Sequence, residues 1–361
     1  MITALIFIAV IGLLVVVHEF GHFIMAKRAG MRVDEFGFGF PPRVWSIKKG
    51  ETTYSINLIP FGGFVKVLGE DGEERSDPRS FGAGTTLNRF YVLVAGVTMN
   101  FLLAVLLLTL GSFVGLRVGV FDEATAQIAK NKSIQVISIA PNSPAKDADL
   151  RLLDQIIGFQ NTDGTTYTPS NVSEVQNFTS ANAGKNLKLI IKRGNEQIIK
   201  EVLARQNPPQ GEGQMGIALA VTGVVSYPWY EAIWRGVYSA SIMTLNVVFG
   251  YYELFRTLFT EGKLIADVSG PIGIANITGQ AARIGFSYLM QLVALISINL
   301  AVLNILPLPA LDGGRILFLF IEKIKGSPIK KEVEGWINAT SFALLIALMI
   351  YVTIKDIINL F

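Results

Sequence analysis

The sequence predicts a polytopic α-helical membrane protein with four transmembrane helices, a small membrane-associated β-hairpin sheet and one external α+β domain. Three observations predict it. Of 361 residues, 51% are hydrophobic and only 16% are charged, an apolar excess that points to a membrane protein with some water-soluble mass. The apolar residues gather in runs long enough to cross a bilayer. One long stretch, about 120–222, instead shows the short apolar runs and turn residues of a strand-rich domain.

The net charge of +3 is too small to imply nucleic acid as a partner. With no cysteine, the chain has no disulfide, no thiolate metal site and no thiol nucleophile.

Residues 2–26, 90–116 and 336–358 can each cross ~30 Å of hydrocarbon as a helix. A fourth run, 286–306, is as apolar but carries Asn299 and Asn304. The first run has no basic leader and no Ala-x-Ala site after it, so it reads as a retained span and not a signal peptide. Lys and Arg are dense from Lys27 to Arg89 and again at Lys323, Lys325, Lys330 and Lys331, which places both segments on the cytoplasmic side. Residues 117–285 and both termini then face outward, in a multi-pass protein of a bacterial inner membrane. Residues 229–259 are apolar too, but Glu231, Arg235, Asn246, Glu253 and Arg256 among Trp and Tyr suit a helix lying in the interface. A crossing there would invert everything downstream.

The expected parts are a first span (1–30), a cytoplasmic-side hairpin region (31–85), a second span (86–117) and an external domain (118–224). An interfacial helix and loop (225–285), a third transmembrane segment (286–320), a cytoplasmic loop (321–335) and a fourth span (336–361) follow. In the hairpin region, residues 32–68 alternate apolar and polar around Lys49-Gly50 and Gly62-Gly63. Such a sheet either offers an edge to an unwound peptide or is an ordinary cytoplasmic hairpin packed for stability. The acidic stretch 69–78 reads as a solvated loop.

The chemistry sits in the first span. His18 and His22, the chain's two histidines, lie one turn apart on one helix face and can share a zinc ion. Glu19 lies beside them, where a general base could take a proton from water. Ionisable groups are costly at membrane depth and default to function. Hydrolytic zinc usually keeps three protein ligands, so the third must be a carboxylate, and Asp312 is the acid lying deep in an apolar context. By span parity it meets the histidines near the cytoplasmic face. Pro307 and Pro309 break the helix just before it, and irregular backbone at that depth must line a cavity or be buried in protein. Asn304 can bond an extended substrate backbone or a developing oxyanion, or equally make an interhelical hydrogen bond.

The stretch His18-Glu-Phe-Gly-His22, together with Asn304-Ile-Leu-Pro-Leu-Pro-Ala-Leu-Asp-Gly-Gly314, resembles the site-2 protease family of intramembrane zinc metalloproteases. The bacterial regulator of sigma E protease (RseP) branch is the most similar. The resemblance implies that His18, His22 and Asp312 bind zinc, that Glu19 is the catalytic base, and that Asn304 helps hold substrate, and Pro307 and Pro309, at the helix break, are expected to join it in binding substrate. It implies that Gly96 and Asn100 pack near the active site, although small-residue helix packing explains them as well. It also implies a membrane-reentrant sheet at 32–68 and substrates that are transmembrane proteins, pre-cut by another protease, such as anti-sigma factors or signal-peptide remnants. The external domain is similar to a single PDZ domain, with the usual Ala-Gly-Leu and Gly-Asp appearing as Ala148-Asp149-Leu150 and Leu153-Asp154. It lacks a carboxylate-binding loop, so it is expected to filter substrates by bulk. A PDZ-bearing scaffold with a non-catalytic zinc site, or a transporter, are the alternatives.

Overall fold

A computed structural model describes residues 2–70, 76–160, 164–194, 196–262, 270–327 and 329–358. Residues 71–75 of the acidic loop and Asn195 lie outside the described residues. The chain forms two compact units, one of residues 1–110, 233–282 and 289–361, the other of residues 111–232 with 283–288.

The first unit opens with α1 (Ile2–Arg28), apolar from Ala4 to Val17 and closed by Lys27 and Arg28 at its carbonyl end. The hairpin β1 (Val33–Lys49) and β2 (Thr52–Val67) follows, turning at Gly50. Both strands fold back on themselves. Phe36 pairs with Val65 on one side and Tyr54 on the other, so two long strands make four short stretches, and residues 63–67 form one edge. Phe40, Val44, Trp45, Ile47 and Leu58 stand exposed on this sheet, an apolar surface suited to lipid. Helix α2 (Thr86–Val114) returns across the unit.

The second unit holds β3 (Leu116–Gly119), α3 (Glu123–Ile128), β4 (Lys130–Ile139), α4 (Pro144–Asp147), β5 (Gln155–Gln160) and β6 (Thr166–Tyr167). After them come α5 (Val172–Ala181), β7 (Asn186–Arg193), β8 (Glu196–Leu203) and β9 (Ile217–Val225). The strands make one sheet in the order β3-β9-β4-β5-β7-β8, with β6 on β5. Leu187, Leu189 and Ile191 of β7 turn to the core while Lys188 and Lys192 turn out, the alternation that sets strand register. Helix α5 starts on a reciprocal cap: Asn171 accepts from the Glu174 amide, and Glu174 accepts from the Ser170 amide. Buried Asp154 is clamped by Arg193, whose Nε and Nη2 donate to its two oxygens at 2.8 and 2.7 Å.

The chain ends with α6 (Trp229–Glu261), α7 (Pro271–Ile284), α8 (Phe286–Ile305), α9 (Asp312–Lys325) and α10 (Lys331–Ile358). By length and composition, α1, α2, α8 and α10 are the four helices able to cross a membrane among the described residues. Helix α6 has 33 residues but is not one of the four, with Glu231, Arg235, Glu253 and Arg256 along it. The segment 286–320 comprises α8 and the first part of α9, with the break at residues 306–311 where Pro307 and Pro309 cannot continue a helical ladder. Ala26, Val33, Val67, Val92, Leu93 and Ile316 share one buried cluster, which draws α1, the base of the hairpin, α2 and α9 together.

Candidate metal centre

His18 and His22 project from α1 with their Nε2 atoms 3.3 Å apart and ring planes crossing at 78°. His22 Nδ1 lies 2.8 Å from the carbonyl oxygen of Val92 on α2. A carbonyl only accepts, so Nδ1 carries the proton and Nε2 presents its lone pair. Gly96 lies one turn along α2. A Cβ there would press on His22 Nε2 and stand 2.7 Å from His18 Cε1, so this helix can approach the two rings only with glycine at that position.

Asp312 enters from α9, whose first turn it occupies. Its Oδ2 lies 3.2 Å from His18 Nε2 and 3.4 Å from His22 Nε2. The loop before it is held by Asn338 of α10, whose Oδ1 accepts from the Ala310 amide at 3.2 Å, with Ala310 in the left-handed region (φ 71°). Gly313 allows the tight return, since a side chain there would meet the carbonyls of Ile305 and Leu306.

The three donor atoms thus stand 3.2, 3.3 and 3.4 Å from one another. Zinc–nitrogen and zinc–oxygen bonds of about 2.0–2.1 Å set tetrahedral donors roughly 3.3–3.4 Å apart. Asp312 Oδ2 is buried and accepts no hydrogen bond among the described residues, which leaves its lone pairs aimed at the histidines. The donor set fits zinc, and these three residues could hold it.

Glu19 lines the same cavity, which measures about 250 Å³ and is walled by Phe64, Val65 and Val67 of the sheet edge. Arg315 and Glu70, bonded to each other, close another side. Asn304, in the last turn of α8, brings its Nδ2 to 3.4 Å from His18 Nε2. Pro307 and Pro309 lie in the loop between α8 and α9 and do not line this cavity. Sequence reasoning passed over the Val92 carbonyl, a backbone group with no sequence signal, and Asn338, whose polar amide in an apolar helix was the available sign.

The profile of peptidase family M50 matches residues 6–348, nearly the whole chain. The chain belongs to peptidase family M50. A Clostridium perfringens protein carrying a zinc metalloprotease name is 38% identical over 96% of this chain and 95% of its own length. The zinc metalloprotease RasP of Oceanobacillus iheyensis is 30% identical over the full length of both chains. The regulator of sigma-W protease RasP of Bacillus subtilis is 28% identical over 99% of both. As a member of this site-2 protease family, the M50 chain is a zinc metalloprotease of a membrane protease family, with zinc as its cofactor. That decides against a scaffold or a transporter.

Proposed function

We propose that this protein hydrolyses peptide bonds within or near transmembrane segments of membrane proteins, with His18, His22 and Asp312 as zinc ligands and Glu19 as general base. The observation that carries it is the triangle of donor atoms, 3.2–3.4 Å on a side, which shares one cavity with a carboxylate and a strand edge. Zinc bound there supplies Lewis acidity, which acidifies water and polarises a carbonyl. Glu19 takes the proton of the attacking water as the C–O bond forms and returns it to the departing amide nitrogen as the C–N bond breaks. The Asn304 amide donates to the substrate carbonyl oxygen as charge builds on it. A helical substrate hides its peptide bonds. Residues 63–67 form a sheet edge, with no further strand beside it among the described residues, whose Phe64, Val65 and Val67 wall the cavity, so an unwound segment can pair there, and Ala310 and Leu311 of the break line the same cavity.

The exposed apolar side chains of the β1–β2 sheet support a membrane-embedded hairpin. The charge pattern supports cytoplasmic hairpin and Lys330 segments, an external second unit and an α6 that lies in the interface, in a bacterial cell membrane. We read that unit as one PDZ-like domain, on the sigma-regulator branch of the family. Asp149 and Leu153 stand where the PDZ pattern has glycine, and both take left-handed φ, 54° and 71°. A relative named for regulating sigma-W supports anti-sigma-type membrane substrates, already trimmed by another protease, with the PDZ-like domain excluding untrimmed ones.

Metal analysis tests the site. Wild-type protein should carry about one zinc, while His22→Ala and Asp312→Ala should carry almost none. Full zinc in both variants would refute the ligand set.

A further inference from the structure

Helix α2 carries three positions in line, residues 92, 96 and 100, each four apart and so on one face. That face lies along the two histidines of α1. The Val92 carbonyl takes His22 Nδ1, Gly96 clears space for both rings, and Asn100 meets His18. Asn100 is fully buried. Its amide Nδ2 stands 3.2 Å from His18 Nδ1, and its Oδ1 has no hydrogen-bond partner among the described residues. Its backbone carbonyl accepts from Ser297 Oγ at 2.8 Å, which ties this part of α2 to α8.

His18 Nε2 points at His22 Nε2, Asp312 Oδ2 and Asn304 Nδ2, at 3.3, 3.2 and 3.4 Å. To ligate from Nε2 the ring must carry its proton on Nδ1. A protonated Nδ1 cannot face an NH2 group, but it can face the amide oxygen. A half-turn of the Asn100 amide exchanges its two ends without changing its shape. The far-end oxygen has no partner among the described residues to oppose the turn, so the choice is decided at the histidine.

We propose that Asn100 is the positioning residue that fixes the His18 tautomer, its Oδ1 accepting from Nδ1–H so that Nε2 faces the zinc site. Val92 and Asn100 then do the same work for the two histidines, one with a backbone carbonyl and the other with a side chain. This deepens the proposed function and rests on His18 being a ligand.

Zinc affinity of the full-length detergent-solubilised protein, measured by chelator competition, separates the possibilities. Asn100→Leu keeps the volume and loses the acceptor, and should weaken zinc binding about 10–100-fold. Asn100→Asp keeps an acceptor at the same place and should bind zinc within a few-fold of wild type. A role in packing alone predicts the reverse order, with the buried carboxylate the worse variant, and that result overturns the inference. Because the chain has two histidines, [15N]histidine labelling gives only four ring nitrogens to resolve by NMR. In zinc-loaded wild type, His18 should show a protonated Nδ1, and a bare Nδ1 overturns the inference even if a variant fails to fold. His18→Ala keeps the two readings apart. If it binds zinc like wild type, the ligand assignment falls. If it loses zinc while Asn100→Leu does not, only the tautomer assignment falls.

Discussion

At position 96 a single methyl group is enough to disturb the metal site. The Cβ of Gly96→Ala would press on His22 Nε2 and lie 2.7 Å from His18 Cε1, and neither ring can retreat without leaving its Nδ1 partner. Zinc affinity should fall at least ~10-fold, as for loss of a supporting contact. Helix content by circular dichroism should stay unchanged. Gly250→Ala on α6 is the matched control: no atom lies within 4 Å of its Cβ, and a helical alanine gains up to about 1 kcal/mol over glycine. Equal zinc affinity in Gly96→Ala and wild type would mean that α2 is not packed on the histidines as described. The histidine pair and Glu19 could be read from the sequence because i, i+4 spacing on a helix is rigid geometry. The partners of the rings could not, since they depend on how α2 lies against α1.

Individual elements bear separate predictions. In the sheet of the second unit, Arg193→Ala would leave the Asp154 carboxylate buried with the Arg151 amide as its one remaining donor among the described residues, and should cost about 3 kcal/mol of unfolding free energy. An unchanged urea midpoint would show that the clamp is dispensable. Next to it, burial raises the pKa of Asp149, but bonds from Arg151, Lys200 and Arg193 outweigh this and hold it at about 2. A carboxyl depressed below its ordinary value of about 3.9 stabilises the fold above that value and loses the effect as pH falls toward 2. Thermal unfolding of Asp149→Asn should therefore depend less on pH between about 4 and 2 than wild type does. The apolar helices were legible because a span needs an uninterrupted run. The break of the third segment into α8 and α9 was foreshadowed by Pro307 and Pro309, whereas a second helix starting at Asp312 depends on Asn338 and on Gly313 approaching the α8 carbonyls. Alternation revealed the strands of the hairpin but not the doubling of β1 and β2, because pairing partners are long-range contacts.

For the whole molecule, charge asymmetry predicts the orientation proposed above, and the absence of native cysteine makes it easy to map. A cysteine introduced at Lys330 should resist an impermeant external reagent in intact cells, and labelling there would invert the topology. Replacing residues 122–220 with a short flexible linker should preserve cleavage of trimmed substrates and newly allow cleavage of intact ones. Loss of trimmed-substrate cleavage, with zinc retained, would make the second unit a recruiter. In the proposed reaction Glu19 directs water against a peptide bond inside an apolar segment. This step is tested most directly by mass spectrometry of a transmembrane peptide cleaved in H2(18)O, comparing wild type with Glu19→Gln. The wild-type product should have one new carboxyl terminus within the apolar segment, carrying a single 18O, and Glu19→Gln should give no product although that variant holds normal zinc. Undiminished cleavage by Glu19→Gln, or a cut confined to the soluble flanks, would contradict this mechanism.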